Sequence, residues 1–214
     1  MIVLKSGPRG RKMMDEKLEY KSTIKSRPFF YIETKKAAEL INKGFKEFEI
    51  KEKAKKDNIF QVNTETRRSE IASIVLQRLK AIDDFLIEKI VNGDIETSKQ
   101  VVIYSIMKTD RLFFEFMYEV FREKILLRDL TLQDKDFNLY FNRKKEQSER
   151  VASWDDYTFY KLKQVYIRIL FEAGFIKDQK KDREVVKPIL EEEVVQHLKE
   201  IGDIKYLNVL MGEM

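Results

Sequence analysis

The chain has 214 residues, 43% of them hydrophobic and 37% charged, with 15 Phe, one His, no Cys and a net charge of +5. That apolar and aromatic content offsets chain entropy, so most of the chain is expected to fold, into one or two cores. The absence of cysteine excludes disulfides and thiolate zinc sites, and no apolar run approaches the ~20 residues of a membrane-spanning helix or the ~7 to 15 of a signal peptide, so a cytoplasmic protein without membrane contact is expected.

Residues 1–14 carry two Gly, Pro8 and four basic residues without hydrophobic periodicity, which reads as a flexible basic arm; Met13 and Met14 are alternative starts. Phe29 to Ile32 form an apolar run too short for periodicity to assign as strand or helix lead-in. Thr34 suits an N-cap, and Gly44 a left-handed C′ position that folds Phe45 back on Leu40. A second helix over 46–56 then completes a hairpin of helix-turn-helix type. From Arg67 to Val91, Ile71, Val75, Leu79, Ile82, Leu86 and Ile90 recur at spacings of three and four, which predicts one long amphipathic helix ended by Asn92-Gly93-Asp94. Val101 to Met107 reads as a short buried helix, with a strand left open by its β-branched content.

Asp110 caps a helix striped by Phe113, Phe116, Met117, Val120 and Phe121, and Asp134 or Asp136 opens another with Phe137, Tyr140 and Phe141 inward and Arg143, Lys144 and Lys145 outward. Ser153 and Asp156 are spaced as N-cap and third helical residue before Leu162, Val165, Ile169 and Ala173. Gly174-Phe175 repeats the ending at Gly44-Phe45. A small β-hairpin is expected from 175–177 and 184–187, before Pro188 opens a last helix through Ile201. The expected fold is mainly α, in two small helical lobes: the arm 1–14, an N-terminal lobe 15–92 and a C-terminal lobe 93–214, the last winged-helix-like.

Catalytic chemistry has little material. One histidine, His197, rules out triads and His-based zinc sites, and no phosphate-binding glycine loop or G-x-G-x-x-G occurs. Asp15 with Glu33, Thr34 and Lys35 loosely fits a D…E-x-K metal nuclease, but such matches arise easily in so charged a chain, and that motif needs a sheet to converge its side chains. No enzyme activity, cofactor, metal or small-molecule substrate is expected.

Binding has more. Residues 1–68 hold 18 Lys and Arg against 10 Asp and Glu, whereas 69–150 hold 14 against 15 and 151–214 hold 10 against 12. Clustered cations attract phosphate backbones. In the arm, Pro8-Arg9-Gly10-Arg11-Lys12 resembles an AT-hook core with Lys12 replacing the last proline, so Arg9, Arg11 and Lys12 are candidate minor-groove contacts. Lys35, Lys36, Lys43, Lys46 and Lys53 are candidate phosphate contacts, as are Arg67 and Arg68 at a helix start, where the dipole disfavours cations. Against this, Glu47–Lys51, Glu49–Lys53 and Glu52–Lys56 are i,i+4 pairs that stabilise a solvated helix by ~0.2–0.5 kcal/mol each. No element groups the Asn, Gln and Arg that read base edges, so contact without sequence preference is expected.

Four segments carry a family resemblance: Glu33-Thr34-Lys35-Lys36-Ala37-Ala38-Glu39-Leu40; Asn58-Ile59-Phe60-Gln61; Lys108-Thr109-Asp110-Arg111-Leu112-Phe113-Phe114-Glu115-Phe116; and Leu170-Phe171-Glu172-Ala173-Gly174-Phe175-Ile176. Over about Lys25 to Ile201 the chain resembles the BrxA family of BREX bacteriophage-defence systems. The resemblance implies an all-helical protein, similar in part to the antitermination factor NusB. It further implies a protein that binds double-stranded DNA and serves beside other BREX proteins: a methyltransferase, an ATPase and a phosphatase-like protein. It brings no catalytic residues. A scaffold for protein assembly is the competing expectation.

Overall fold

A computed structural model describes residues 18–180 and 182–213. After a 3-10 turn at Thr23–Ser26 come α1 Tyr31–Asn42, α2 Glu47–Lys56, α3 Glu65–Leu79, α4 Asp84–Asn92, α5 Ile95–Thr109 and α6 Arg111–Phe116. A π turn, Met117–Phe121, joins α6 to α7 Arg122–Leu126. Then follow β1 Thr131–Leu132, α8 Asp134–Gln147, α9 Glu149–Ala152, α10 Asp156–Ala173, β2 Arg183–Glu184, α11 Glu192–Glu200 and α12 Ile204–Met211.

The fold is mainly α, as expected, and α5 lies at its centre. Every residue from Val101 to Met107 is buried, and α1, α3, α4, α6, α10 and α12 all pack on this helix. A helix apolar all round requires such enclosure. Enclosure also decides the helix-or-strand question: β-branched residues cost a few tenths of a kcal/mol each in helix propensity, far less than their burial returns. Asp94 starts α5 by accepting the Thr97 N–H at 2.8 Å. The buried apolar residues form one cluster reaching from Tyr20 to Leu210.

Several boundaries differ from expectation. The periodic stretch 67–91 is two helices, because Asp83 accepts the Leu86 N–H at 3.1 Å and restarts the chain as α4. Ile71, Val75, Leu79, Ile82, Leu86 and Ile90 are nevertheless all buried; the three-and-four spacing runs through the break and hides it. Thr34 lies buried inside α1, which begins three residues earlier after Phe30 in a left-handed conformation. At α10 the cap is Asp155, which accepts the Thr158 N–H at 2.6 Å, while Ser153 ends α9. Lys144 points inward. The segment after Pro188 stays irregular as far as Glu191, and α12 follows α11 without having been anticipated. Both Gly-Phe corners hold: Gly44 and Gly174 have φ of 87° and 84°, and the N–H groups of Phe45 and Phe175 donate to Leu40 and Leu170.

The small sheet is antiparallel, with Thr131 opposite Glu184 and Leu132 opposite Arg183. Ile176 bridges Val185 on the other side. The expected pairing of 175–177 with 184–187 is therefore present, but its second arm also pairs with a segment that precedes α8.

Arg78, on α3, shows how the core holds its polar atoms. Its guanidinium is buried and donates to the carbonyls of Phe29 at 2.8 Å and of Arg27 and Pro28 at 3.0 Å, fixing the chain that leads into α1. Burial lowers its pKa to about 9, so the cation persists at neutral pH. Arg78→Met leaves three carbonyls without their donor. The expected loss is about 3 kcal/mol, read as a lower urea midpoint at unchanged slope.

Candidate nucleic-acid interface

The structure sorts the candidate cations into those engaged internally and those left free. Arg68 forks across three carbonyls of the α2–α3 connection: Nε donates to Val62 at 2.7 Å, Nη1 to Lys55 at 3.2 Å and Nη2 to Asn63 at 3.4 Å. Arg67 pairs with Glu70 at 2.6 Å and lies over the Phe30 ring. Lys36 donates to the Ile59 carbonyl at 3.0 Å, and Lys53 sits 3.5 Å from Asp57 and over Phe45. Those four cations brace the α1–α2–α3 hairpin.

Lys35, Lys43 and Lys46 form no ion pair among the described residues. Lys43, just past the end of α1, is exposed and lies opposite buried Thr34, while Lys35 is half-buried on the flank of α1; Lys46 follows, exposed, at the corner into α2. Along α2, Lys51 and Lys56 take their expected partners Glu47 and Glu52, whereas Glu49 instead accepts the Lys46 backbone N–H at 2.7 Å, which frees Lys53 for Asp57. Arg9, Arg11 and Lys12 lie outside the described residues, as does Asp15 of the nuclease pattern. Glu33 and Lys35 are about 200° apart around α1, and among the described residues no three His, Asp or Glu side chains converge.

His197 is a packed residue, 2.8 Å from Asp83 and stacked on Phe85 at 4.2 Å. No helix among the described residues is long and apolar enough to cross a membrane.

A model of the BrxA family matches residues 18–202. The chain belongs to the BrxA family. A "BREX protein BrxA" from Bacillus cereus is 63% identical over 194 residues, covering 91% of this chain and 97% of its own. Another "BREX protein BrxA", from Paramagnetospirillum magneticum, is 24% identical over 85% of this chain and 90% of its own. In fold, the chain is similar to the crystal structure of an uncharacterized protein from Magnetospirillum magneticum. The TM-score is 0.79 at 23% identity, with 92% of this chain and 100% of that one covered.

A second polar surface escaped the sequence reading. The outer side of α10 exposes Tyr157, Tyr160, Gln164, Arg168 and Phe171, with Lys161 half-buried among them. Its signal was present as the complement of the buried set Leu162, Tyr166, Ile169 and Ala173. At its far end, Arg168 and Phe171 face Ile32 and Glu33 of α1 across a cleft of about 630 Å³.

Two consequences concern the charged core. Arg68→Lys removes a fork that one ammonium cannot replace and should cost about 1–2 kcal/mol, whereas Lys43→Gln should stay within about 0.5 kcal/mol; thermal melts of the two variants compare them. Asp110 caps α6 through the Phe113 N–H at 2.9 Å. Burial raises its pKa to about 6, against the pull of that N–H and of Arg78. The folded state thus keeps a proton that the unfolded chain loses near pH 4, and stability falls as pH rises from there through about 6. Asp110→Asn keeps the cap and removes the ionisation. Relative to the parent, its stability should rise across that window, reaching a gain of about 1–3 kcal/mol at pH 7, measured by urea unfolding at a series of pH values.

Proposed function

We propose that this protein is a non-enzymatic accessory component of a BREX phage-defence system, and that it binds double-stranded DNA through the phosphate backbone. Family membership supports the system. The observation that carries the DNA reading is the set of three lysines without an ion pair among the described residues, Lys35, Lys43 and Lys46, along α1 and its corner, next to Lys51, Lys53, Lys55, Lys56 and Arg67, which are all paired with acids. Free ammonium groups at that density serve phosphate contacts, which position a duplex without reading it. Arg9, Arg11 and Lys12 belong to the same basic end of the sequence.

A second reading, assembly with other BREX proteins, is favoured by a different face. Ile95 and Ile189 stand exposed beside Asp94, Glu96 and Glu191 in a shallow cleft, and the backbone of Ile189 is held in place by the Gln100 amide at 2.9 Å.

A gel-shift assay over a salt series tests the first reading. Affinity should fall steeply with salt, and Lys35, Lys43 and Lys46 reversed together to Glu should weaken binding to every sequence alike and flatten the log–log slope by about 3. Binding indifferent to salt, or none at low salt, would sink it. Magnesium-dependent cleavage of DNA by the pure protein, abolished by Glu33→Gln, would overturn the non-enzymatic part.

A further inference from the structure

We infer that the cavity between the segment 18–27, α3 and the end of α5 is a binding site for a small phosphate monoester, held by Lys21 and Arg27 with the buried charge of Arg78 behind them. The site goes beyond duplex binding and does not depend on it.

The cavity comes first. It encloses about 330 Å³, at the lower end of the ~300 to 1,000 Å³ usual for small-molecule sites. Ile24, Ile74 and Ile106 are buried along its walls. Its polar lining comes from three separate elements: Lys21 and Arg27 from the entering segment, Gln77 and Arg78 from α3, and Asp110 from the corner between α5 and α6. Apolar walls with a few convergent polar groups are the usual make-up of a ligand site.

The walls are fixed from outside. Arg78 donates to the carbonyls of Arg27, Pro28 and Phe29, and Lys25 donates to the Thr158 hydroxyl of α10 at 2.9 Å. Toward the other end of the segment, Tyr20 donates to Glu115 of α6 at 2.8 Å, and Arg111 lies 4.2 Å over the Tyr20 ring. A stretch whose only regular structure is the turn Thr23–Ser26 is thereby held at both ends.

Charge inside the cavity is unbalanced. Glu19 is engaged with Arg150 at 2.7 Å, and Arg111 with Glu115 at 2.7 Å. Lys21, Arg27 and Arg78 form no ion pair among the described residues, and Asp110 is the remaining acid, acted on by all three. It accepts the Phe113 N–H at 2.9 Å and no other hydrogen bond among the described residues. Three cations against one carboxyl leave the cavity positive, the complement of a dianion. Arg27 supplies a guanidinium fork that matches phosphate oxygens and Lys21 a point charge. Arg78, whose N–H groups are committed to carbonyls, contributes its charge. Asp110 and the Gln77 amide suit the hydroxyls of the esterified alcohol.

Asp110 also makes the site pH-dependent. Burial raises its pKa to about 6, so below that pH the neutral carboxyl donates to a bound anion, and above it the carboxylate repels one. The groups facing it are Lys21 and Arg27 of the entering segment, Arg78 of α3 and Tyr166 of α10. Arg78, at about 9, and Tyr166, whose hydroxyl is kept protonated by burial, do not change state near pH 6.

The test is calorimetric titration of the full chain with adenosine 5′-monophosphate, ribose 5-phosphate, adenosine and sulfate. Both esters should bind at one site, with adenosine weaker by about tenfold or more, because the cations recognise the phosphate. Lys21→Ala with Arg27→Ala should lose about tenfold in affinity for both esters at an unchanged melting temperature, since neither side chain has a hydrogen bond or ion pair among the described residues. Should that pair fail to fold, Lys21→Gln alone, at an exposed position, reads the same loss at about threefold. Sulfate keeps its charge across the range, so its affinity should rise about tenfold as pH falls from 7.5 to 5, and Asp110→Asn should hold the tighter value throughout. No saturable binding of either ester by the parent, binding that neither cation substitution weakens, or sulfate affinity that is flat with pH overturns the assignment. If a short duplex binds through Lys21 and Arg27 while the esters fail to compete with it, the cavity is a duplex contact and the small-molecule site falls, although duplex binding stands.

Discussion

The burial of α5 on every side from Val101 to Met107 is the constraint on which the rest of the structure depends. A helical segment with no face available to water has to be wrapped, and the wrapping helices each give it one apolar side. Their opposite sides are then solvent-facing by necessity. Lys43 at the end of α1, and Tyr157, Tyr160 and Gln164 on α10, occupy such outward sides. The exposed surfaces are what remains after the central helix has been enclosed.

Charge obeys the same logic and cannot be read from counts. Lys144 is almost fully buried, 2.6 Å from Glu115 and 2.5 Å from Glu119, joining α8 to the α6–π segment. Glu115 also meets Arg111 and Tyr20; burial pushes its carboxyl up, but these partners together hold it below the ordinary range. Lys89 bridges Glu191 and Glu193, and Lys108 holds Asp203 beside Tyr104. Removal of Lys144 or Lys108 would strand a partly desolvated carboxylate, Glu115 or Asp203, which is costlier than losing an exposed pair such as Lys89 with Glu193. In a chain that is 37% charged, cations of this kind are structural, and only a structure separates them from free ones.

What was legible in the sequence were features with local causes. Gly44 and Gly174 mark helix ends because a left-handed residue followed by an apolar one is a local geometry, and Asp110 caps because its acceptor lies three residues from its donor; Asp94 was legible only as the end of one helix, not as the cap of the next. Ile71, Val75, Leu79, Ile82, Leu86 and Ile90 were legible as core, but buried Ile74, Leu76 and Ile87 and the break between α3 and α4 were not, since Asp83 restarts the helix in phase. Thr34 failed as a cap because tertiary packing of Phe29 and Phe30 starts α1 a turn earlier. The inward turn of Lys144 depends on acids 25 and 29 residues away, and the pairing of 131–132 with 183–184 spans some fifty residues; no short-range pattern encodes either. For the candidate site, residue identity was legible and availability was not: Arg67 and Arg68 have the right chemistry but are held by neighbouring carbonyls and Glu70.

The lysines of α1 and the exposed side of α10 are joined by the fold. α1 and α10 both lie against α5, and the start of α1 faces the end of α10 across the cleft lined by Ile32, Glu33, Arg168 and Phe171. Lys35, half-buried, sits on α1 about one turn beyond exposed Ile32, so the lysines of α1 begin where the outer side of α10 ends. The two sides differ in how they are held: Lys35, Lys43 and Lys46 have no ion pair among the described residues, whereas α10 is tied through Lys163 to Asp134, which also holds Arg183 of β2.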